Sequence, residues 1–254
     1  MTDQGYYNLK RVYCPENFTE AGVIMLDDQK LHHLVHVLRA KAGDQIRIFN
    51  AQYGEWLAKI DRIEKNKLHI TLQKQLCDSE SVGRVSLMFA PIKQDKLHFL
   101  IEKAVELGVD RLIPVLTERT IVRDINNQKI ESYIQQAAEQ SERLTIPKLF
   151  PLNKLSSALD ELNAVDNVIF CNEREQENSL HKVITKLEAN KNYIILIGPE
   201  GGFTDQERML LNNDKKIIST HIGSRILRAE TAALFVVGCL QFAVGDMMSP
   251  PRTK

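Results

Sequence analysis

The chain reads as an α/β protein, a parallel sheet with helices on both faces, preceded by a small β-rich domain. Three observations lead there. From Arg11 to Leu72, apolar residues fall in short strand-length runs divided by turn signals, with one helical interruption. From Val85 onward, strand and helix patterns alternate, the arrangement that builds a parallel sheet. Two apolar runs near the C-terminus, Tyr193 to Ile197 and Ile217 to His221, each end in a glycine-bearing turn that leads into a helix.

The first stretch holds strands at Arg11-Val12-Tyr13, Val23 to Leu26, Gln45 to Phe49, Trp56 to Ile63 and Leu68 to Leu72. Ala42-Gly43-Asp44, Tyr53-Gly54-Glu55 and Lys65-Asn66-Lys67 supply the turns. A helix over about 28–39 places Leu31, Leu34, Val35 and Leu38 on one face, with Asp27 or Asp28 as its cap. Mixed strands around one helix suggest a small β-barrel over 1–76, and Trp56 is expected to pack in it. The polar stretch 77–83 reads as a linker to a second domain, 84–254.

In that second domain Val85 to Ala90 is a strand. Lys93 to Leu107 is a helix stopped at Gly108, where glycine is the favoured C′ residue. A strand at Arg111 to Leu116 and a long helix from Lys129 to Leu144 follow. After Pro147 come a strand near Leu149, a helix near Leu155 to Leu162 and the strand Val168 to Cys171. Tyr193 to Ile197 leads to a helix at Thr204, where Thr204 and Glu207 fit a capping box. Ile217 to His221 leads to the last helix, about Glu230 to Val244.

Composition excludes several classes. The 254 residues are 43% hydrophobic and 26% charged, ordinary for a soluble globular protein with an ample core. Four separated cysteines with no C-x-x-C pair argue for free thiols in a reducing cytoplasm. The polar Met1 to Leu9 lacks a signal peptide's apolar stretch, and the longest apolar run, Ala232 to Leu240, is too short to span a bilayer. No metal is expected, because His32 and His36 lack the glutamate and third ligand of a zinc motif. The turns match neither G-x-G-x-x-G nor G-x-x-x-x-G-K-[ST]. Lys plus Arg equals Asp plus Glu at 33 each, so composition alone does not point to nucleic acid.

What remains is chemistry made by backbone. Gly198-Pro199-Glu200-Gly201-Gly202-Phe203 and Ile222-Gly223-Ser224-Arg225-Ile226-Leu227-Arg228-Ala229-Glu230-Thr231 would line a pocket with main-chain groups, because glycine lets the chain approach a ligand closely. These strings resemble the S-adenosylmethionine loops of the ribosomal RNA small subunit methyltransferase E family, in the SPOUT class of knotted methyltransferases. The resemblance extends from about Lys10 to Gln241. Arg11-Val12-Tyr13 resembles the family's opening R-x-[FY] strand, and His33 to Arg39 with Gly43-Asp44 its H-x-x-x-V-L-R…G-D segment. Lys93-Gln94-Asp95-Lys96 is similar to K-G-D-[RK], with Gln94 replacing the glycine. Lys103 to Val109 resembles K-A-x-E-L-G-V, Thr117 to Thr120 a family loop after a strand, and Glu139 to Arg143 keeps E-Q-S-x-R.

The resemblance implies a trefoil-knotted parallel sheet and a PUA-like RNA-binding barrel. It implies methyl transfer from S-adenosyl-L-methionine to N3 of a uridine in the decoding region of 16S ribosomal RNA, on the small ribosomal subunit, by a cytoplasmic homodimer. Gly198, Pro199, Glu200, Gly201, Gly202, Ile222, Gly223, Leu227, Arg228 and Thr231 would hold the donor. Arg11, His33, Arg39, Lys93, Gln140 and Arg143 would meet RNA, Gln140 and Arg143 from one helix face. Arg228 comes first and Arg143 second for stabilising charge on the uracil oxygens, and Glu230 is the nearest proton acceptor, unless it only caps its helix. Lys103 and Glu106, one turn apart, have a plainer explanation as an ion pair. Two other readings compete: a non-catalytic RNA-binding protein, and a nucleotide-binding α/β enzyme acting on a small molecule.

Overall fold

The computed structural model describes residues 6, 8–15, 17–18, 23–25, 31–37, 39–65, 67–79, 83–189 and 191–247. They fall into two compact units, residues 1–82 with 138–146 and 251–254, and residues 83–137 with 147–250. Along the chain the strands of the first unit are β1 (Arg11–Tyr13), β2 (Val23–Met25), β3 (Gln45–Asn50), β4 (Gly54–Glu64) and β5 (Lys67–Cys77). Next come β6 (Val85–Phe89), α1 (Gln94–Glu106), β7 (Arg111–Leu116), α2 (Asn127–Gln140), β8 (Lys148–Leu149) and β9 (Asn153–Lys154). The chain continues with α3 (Leu155–Asp160), β10 (Asp166–Cys171), α4 (Leu180–Ile184) and β11 (Asn192–Ile197). It closes with α5 (Asp205–Asn213), β12 (Ile217–Thr220) and α6 (Ala229–Val244).

In the first unit the sheet order is β1-β3-β4-β5-β2, with β1 parallel to β3 and the other pairs antiparallel. Alternating residues Ile46, Ile48, Ala58, Ile60, Leu68 and Ile70 fill the core with Val12, Ile24 and Leu34, and Trp56 packs at its edge as expected. Strand β5 runs on to Cys77, five residues past the expected Leu72, because it pairs with β4 along almost its whole length through several bulges. Of the expected 28–39 helix, residues 31–37 and 39 are described; His33–Val37 is π-helical, while Arg39, left-handed at φ 53°, is not helical, so the helix does not reach Arg39 as expected. Asp27, Asp28 and Leu38 lie outside the described residues.

A buried ionic cluster holds the excursion 138–146 in this unit. The Arg11 guanidinium donates to Glu55 Oε1 at 2.9 Å and to the carbonyls of Ala138 and Arg143 at 3.0 and 2.8 Å. Arg47 joins Glu55 at 3.1 Å and Glu142 at 3.0 Å. Burial lowers the Arg11 pKa, and the Glu55 carboxylate opposes that shift.

This geometry corrects the reading of α2. The helix stops at Gln140, not Leu144, because Glu142 turns left-handed (φ 59°) and the Arg143 amide donates back to the Ala138 carbonyl. That is a Schellman closure with glutamate where glycine is usual. Gln140 and Arg143 therefore do not share a helix face.

In the second unit every strand pair is parallel, in the order β12-β10-β11-β6-β7-β8, and β9 pairs with the end of β7. Strands buried on both faces read as continuous apolar runs, as Val85 to Phe89 and Tyr193 to Ile197 do. Gly108 takes φ +87° just past α1, and Thr204 and Glu207 form the expected capping box on α5. The short helix α4 and strand β9 were not legible in the pattern. Among the described residues no helix is long and apolar enough to cross a membrane.

At the amino edge of this sheet Arg111 grips the buried Asp166 with both terminal nitrogens, at 2.7 and 3.2 Å, tying β7 to β10. Burial alone would raise the Asp166 pKa. The Arg111 bonds and charge, with amides of Asn163 and Asn192, outweigh it and leave the carboxyl below its ordinary value. A depressed folded pKa contributes stability above the unfolded value of about 3.9 and loses it as pH falls through the folded value. Asp166→Asn should therefore cost about 3–5 kcal/mol at pH 7 by urea denaturation. The gap between variant and parent should shrink steadily below about pH 4.

Candidate active site

Parallel strands deliver all their carboxyl ends to one edge. There the chain leaves β6 toward β7 and leaves β11 toward β12, in opposite directions along the sheet. Such a reversal opens a crevice between the two departing loops, the place where open α/β sheets bind ligands. The loop after β11 is 198–203; the loop after the outer strand β12, 221–228, leads to α6, whose first turn comes near Lys96, a partner of Glu200.

The first loop is built around its glycines. A Cβ on Gly198 would strike the ring of Phe203, which is buried edge-on against Phe170. The Gly202 amide donates to the Pro199 carbonyl at 2.9 Å, closing a turn, and Gly202 itself sits at φ +65°. Gly201 is braced by Arg119, whose guanidinium donates to its carbonyl at 2.9 Å. Glu207 works twice: one oxygen accepts from the Thr204 amide and the other from the Glu118 amide, both at 2.8 Å. The 117–120 loop is thus pinned to the start of α5. Its own turn is closed by Thr117 and Thr120, both buried and hydrogen-bonded to each other.

The second loop is anchored at its root and open at its tip. The His221 amide donates to the Asn178 carbonyl and the Leu180 amide to the His221 carbonyl, both at 2.9 Å. Beyond it, Gly223 takes φ +117° with open space where a Cβ would stand. Ile222 and Leu227 are half-buried, Ile226 is fully exposed and Thr231 is exposed. Arg228 is the N-cap residue of α6, exposed, with no capping bond from its side chain.

Glu230 follows on the first turn of α6. Its side chain is 12% exposed, its Oε1 lies 3.9 Å from Lys96 Nζ, and its buried Oε2 has no hydrogen-bond partner among the described residues. Glu230 is the acidic residue of the first turn of α6, where its charge also suits the helix N-terminus. Lys96 also donates to Glu200 at 3.2 Å.

The structure thus brings Gly198, Pro199, Glu200, Gly201, Gly202, Ile222, Gly223, Leu227, Arg228, Glu230 and Thr231 onto two loops and one helix start of the second unit. Lys93 is exposed at the N-cap of α1 in the same unit. Arg11, His33, Arg39, Gln140 and Arg143 belong to the first unit. Arg39 is exposed and left-handed at φ 53°, and Gln140 is exposed at the end of α2. Arg143 donates to Thr145 at 2.9 Å. Of His33 only the backbone is described. Arg11 is buried within the ion cluster, with its plane 3.5 Å from the Phe49 ring, so its guanidinium serves the fold rather than an exposed surface.

Arg119, Glu173 and Glu207 went unrecognised as site residues. Glu207 was legible only as a helix cap. Glu173, which packs at Gly202 and pairs with Arg208 at 3.0 Å, has no local signal. Lys103 does pair with Glu106, at 2.7 Å. Burial pushes the Cys171 thiol up to about 12, which removes it as a nucleophile near neutral pH. Among the described residues no group of three or more His, Cys, Asp or Glu could hold a metal ion.

Comparison with known proteins agrees with this layout. Residues 79–241 match the model of the RNA methyltransferase domain and residues 26–73 that of the RNA methyltransferase PUA domain. The ribosomal RNA small subunit methyltransferase E of Rickettsia conorii is 38% identical over 89% of this chain and 93% of its own. The chain belongs to the ribosomal RNA small subunit methyltransferase E family. Among solved structures, the family enzyme of Neisseria gonorrhoeae bound to S-adenosyl methionine superposes with a TM-score of 0.78 at 27% identity, covering 94% of this chain and all of that one. A methyltransferase of Legionella pneumophila, in complex with the same cofactor, gives 0.77 at 26% identity over 92% of this chain and 98% of that one.

The crowding at Gly198 makes a direct expectation. Gly198→Ala forces the buried Phe203 ring aside and should cost about 1–3 kcal/mol in denaturant unfolding. Gly223→Ala meets no atom and should cost only its backbone strain, about 1–2 kcal/mol.

Proposed function

We propose that this chain transfers the methyl group of S-adenosyl-L-methionine to N3 of a uridine in 16S ribosomal RNA, in the decoding region of the small subunit. One observation carries the reading: two main-chain-lined loops at the switch point of a parallel sheet, followed by an exposed arginine and a buried, unpartnered carboxylate. The loops suit a ligand recognised by backbone groups, with Ile222 and Leu227 as an apolar rim for an adenine face. The neighbours bound to that donor, and the family membership, favour this chemistry over a small-molecule enzyme or a passive RNA binder.

The donor supplies an electrophilic methyl on sulfonium sulfur. The acceptor nitrogen is an imide N–H with no usable lone pair, so it must lose its proton as the bond forms. In balance, the N3 proton passes to a carboxylate, N3 bonds the methyl carbon, and the electrons of the broken carbon–sulfur bond stay on sulfur. Glu230 Oε2 is the carboxylate oxygen with an unfilled acceptor site. Arg228, two residues earlier and exposed, is suited to stabilise charge spreading onto the uracil oxygens. The base must first be unstacked, which suits single-stranded or loop RNA. In the first unit, Arg39, Gln140 and Arg143 are the candidate RNA contacts, with His33 alongside. Lys93 is the candidate in the second.

Two further features belong to this reading. After the outer strand β12 the chain returns so that α6 packs on β11 and β6, the passage that the SPOUT trefoil knot requires. Phe99 on α1 and Phe235 and Phe242 on α6 are 49%, 49% and 66% exposed, an apolar set suited to a second copy of this chain. Phe235→Glu should then convert a dimer to a monomer by light scattering.

The decisive measurement uses a labelled methyl donor. Small subunits from cells lacking this protein should gain about one methyl each, at N3 of uridine, and subunits from normal cells none. Calorimetric titration should detect binding of adenosylmethionine, and no heat at millimolar ligand would remove the proposal. Arg228→Ala should slow transfer by about a hundredfold or more while donor affinity changes little.

A further inference from the structure

We infer that Lys96 is the positioning residue for Glu230, bridging it to Glu200 across the switch point so that one oxygen of Glu230 is held and the other left open. This inference rests on the methyltransferase reading and adds to it a residue which that reading does not use.

Glu230 is largely buried, yet its Oε2 has no donor among the described residues. A buried acceptor without a partner is costly, and folds rarely retain one without use. The other oxygen faces an ammonium, Lys96 Nζ, at 3.9 Å. Lys96 is itself 25% exposed and donates a 3.2 Å hydrogen bond to Glu200, which is 52% exposed.

Position in the fold gives this trio its meaning. Lys96 stands on the first turn of α1, the helix that follows β6. Glu200 stands in the loop that follows β11. Glu230 stands on the first turn of α6, beyond the loop that follows β12. Strands β6 and β11 are hydrogen-bonded neighbours, and the ladder between them continues past the strands through the Ala90 amide and the Ile197 carbonyl at 3.1 Å. One ammonium therefore reaches both the loop after β11 and the first turn of α6.

An ammonium is suited to this, because its three donors rotate and can serve two carboxylates at once. Without it, Glu200 and Glu230 would present two uncompensated negative charges to the same crevice. Glu230 would also be free to turn its open oxygen toward the amides of the first turn of α6 and satisfy it there. Lys96 therefore holds Glu230 away from its own helix, with the acceptor directed to a ligand proton.

The test is a double-mutant cycle on the full-length protein. It measures single-turnover methyl transfer to small subunits, with adenosylmethionine affinity measured separately by calorimetry. Lys96→Met should lower the transfer rate by about tenfold to a hundredfold with the donor Kd within threefold. Lys96→Arg, which can still span both carboxylates, should recover most of that loss. Combined with Glu230→Gln, Lys96→Met should cost almost nothing more, because the two act as one unit. Losses that multiply would overturn the inference, as would a raised donor Kd with an unchanged rate. If Lys96→Met does not fold, Lys96→Gln, which keeps most of the stem, takes its place in the same cycle with the same two outcomes. Failure of the wild-type protein to transfer methyl defeats the methyltransferase reading itself. An active wild type with a multiplicative cycle defeats only the role of Lys96.

Discussion

Because every strand of the second unit points the same way, all the connections that could carry chemistry emerge at one edge. The reversal between β6 and β11 then decides which two of them part and leave room. The glycine loop, the turn at Thr117 and the start of α6 are arranged around that gap. Their bracing follows the same logic. Arg119 reaches the Gly201 carbonyl, Glu207 reaches the Glu118 amide, and Lys96 reaches Glu200. Each bond joins loops that leave different strands, so the crevice is held by contacts across it rather than by any single loop. Preorganisation of this kind matters for methyl transfer, where alignment of three atoms supplies much of the rate.

Glycine and charge divide the work at this edge. A Cβ at Gly198 collides with Phe203, so that glycine is fixed by packing beneath the loop, whereas Gly223 faces open space and is set by its backbone angle alone. The first is a structural demand and the second leaves a surface on which a ligand can rest. The charged groups show the same contrast. Asp166 is buried with both oxygens on Arg111 and Glu55 is buried between Arg11 and Arg47, while Glu230 has one buried oxygen without a partner among the described residues. Burial is common to all three carboxylates; the open oxygen distinguishes Glu230.

Local patterns revealed strands and helix caps because those depend on neighbours in the chain. Thr204 and Glu207 are three residues apart and announce their capping box, and Gly108 announces the end of α1. The end of α2 was hidden for a reason of the same locality. Glu142 adopts a glycine-like angle while its side chain meets Arg47, 95 residues away. Arg11 misled for a similar reason, since a strand-borne arginine looks exposed until Glu55 and the 138–146 carbonyls are brought to it by the fold. The two glycine-bearing loops were legible as strings, but the braces Arg119, Glu173 and Glu207 leave no mark of that role in spacing.

The neutral net charge, which gave no hint of RNA, becomes intelligible from where the charges go. Arg11, Arg47, Arg111 and Arg208 are consumed in ion pairs with Glu55, Glu142, Asp166 and Glu173. Removing such balanced pairs from the count leaves net charge unchanged, but it removes much of the arginine that might have been assigned to a binding surface. What could meet an RNA is the exposed remainder, Arg39, Lys93 and Arg228 among it. The electrostatic contribution to binding is then set by where those side chains stand rather than by net charge. A broad basic face would instead favour any RNA over the right one, since phosphate contacts carry no sequence information.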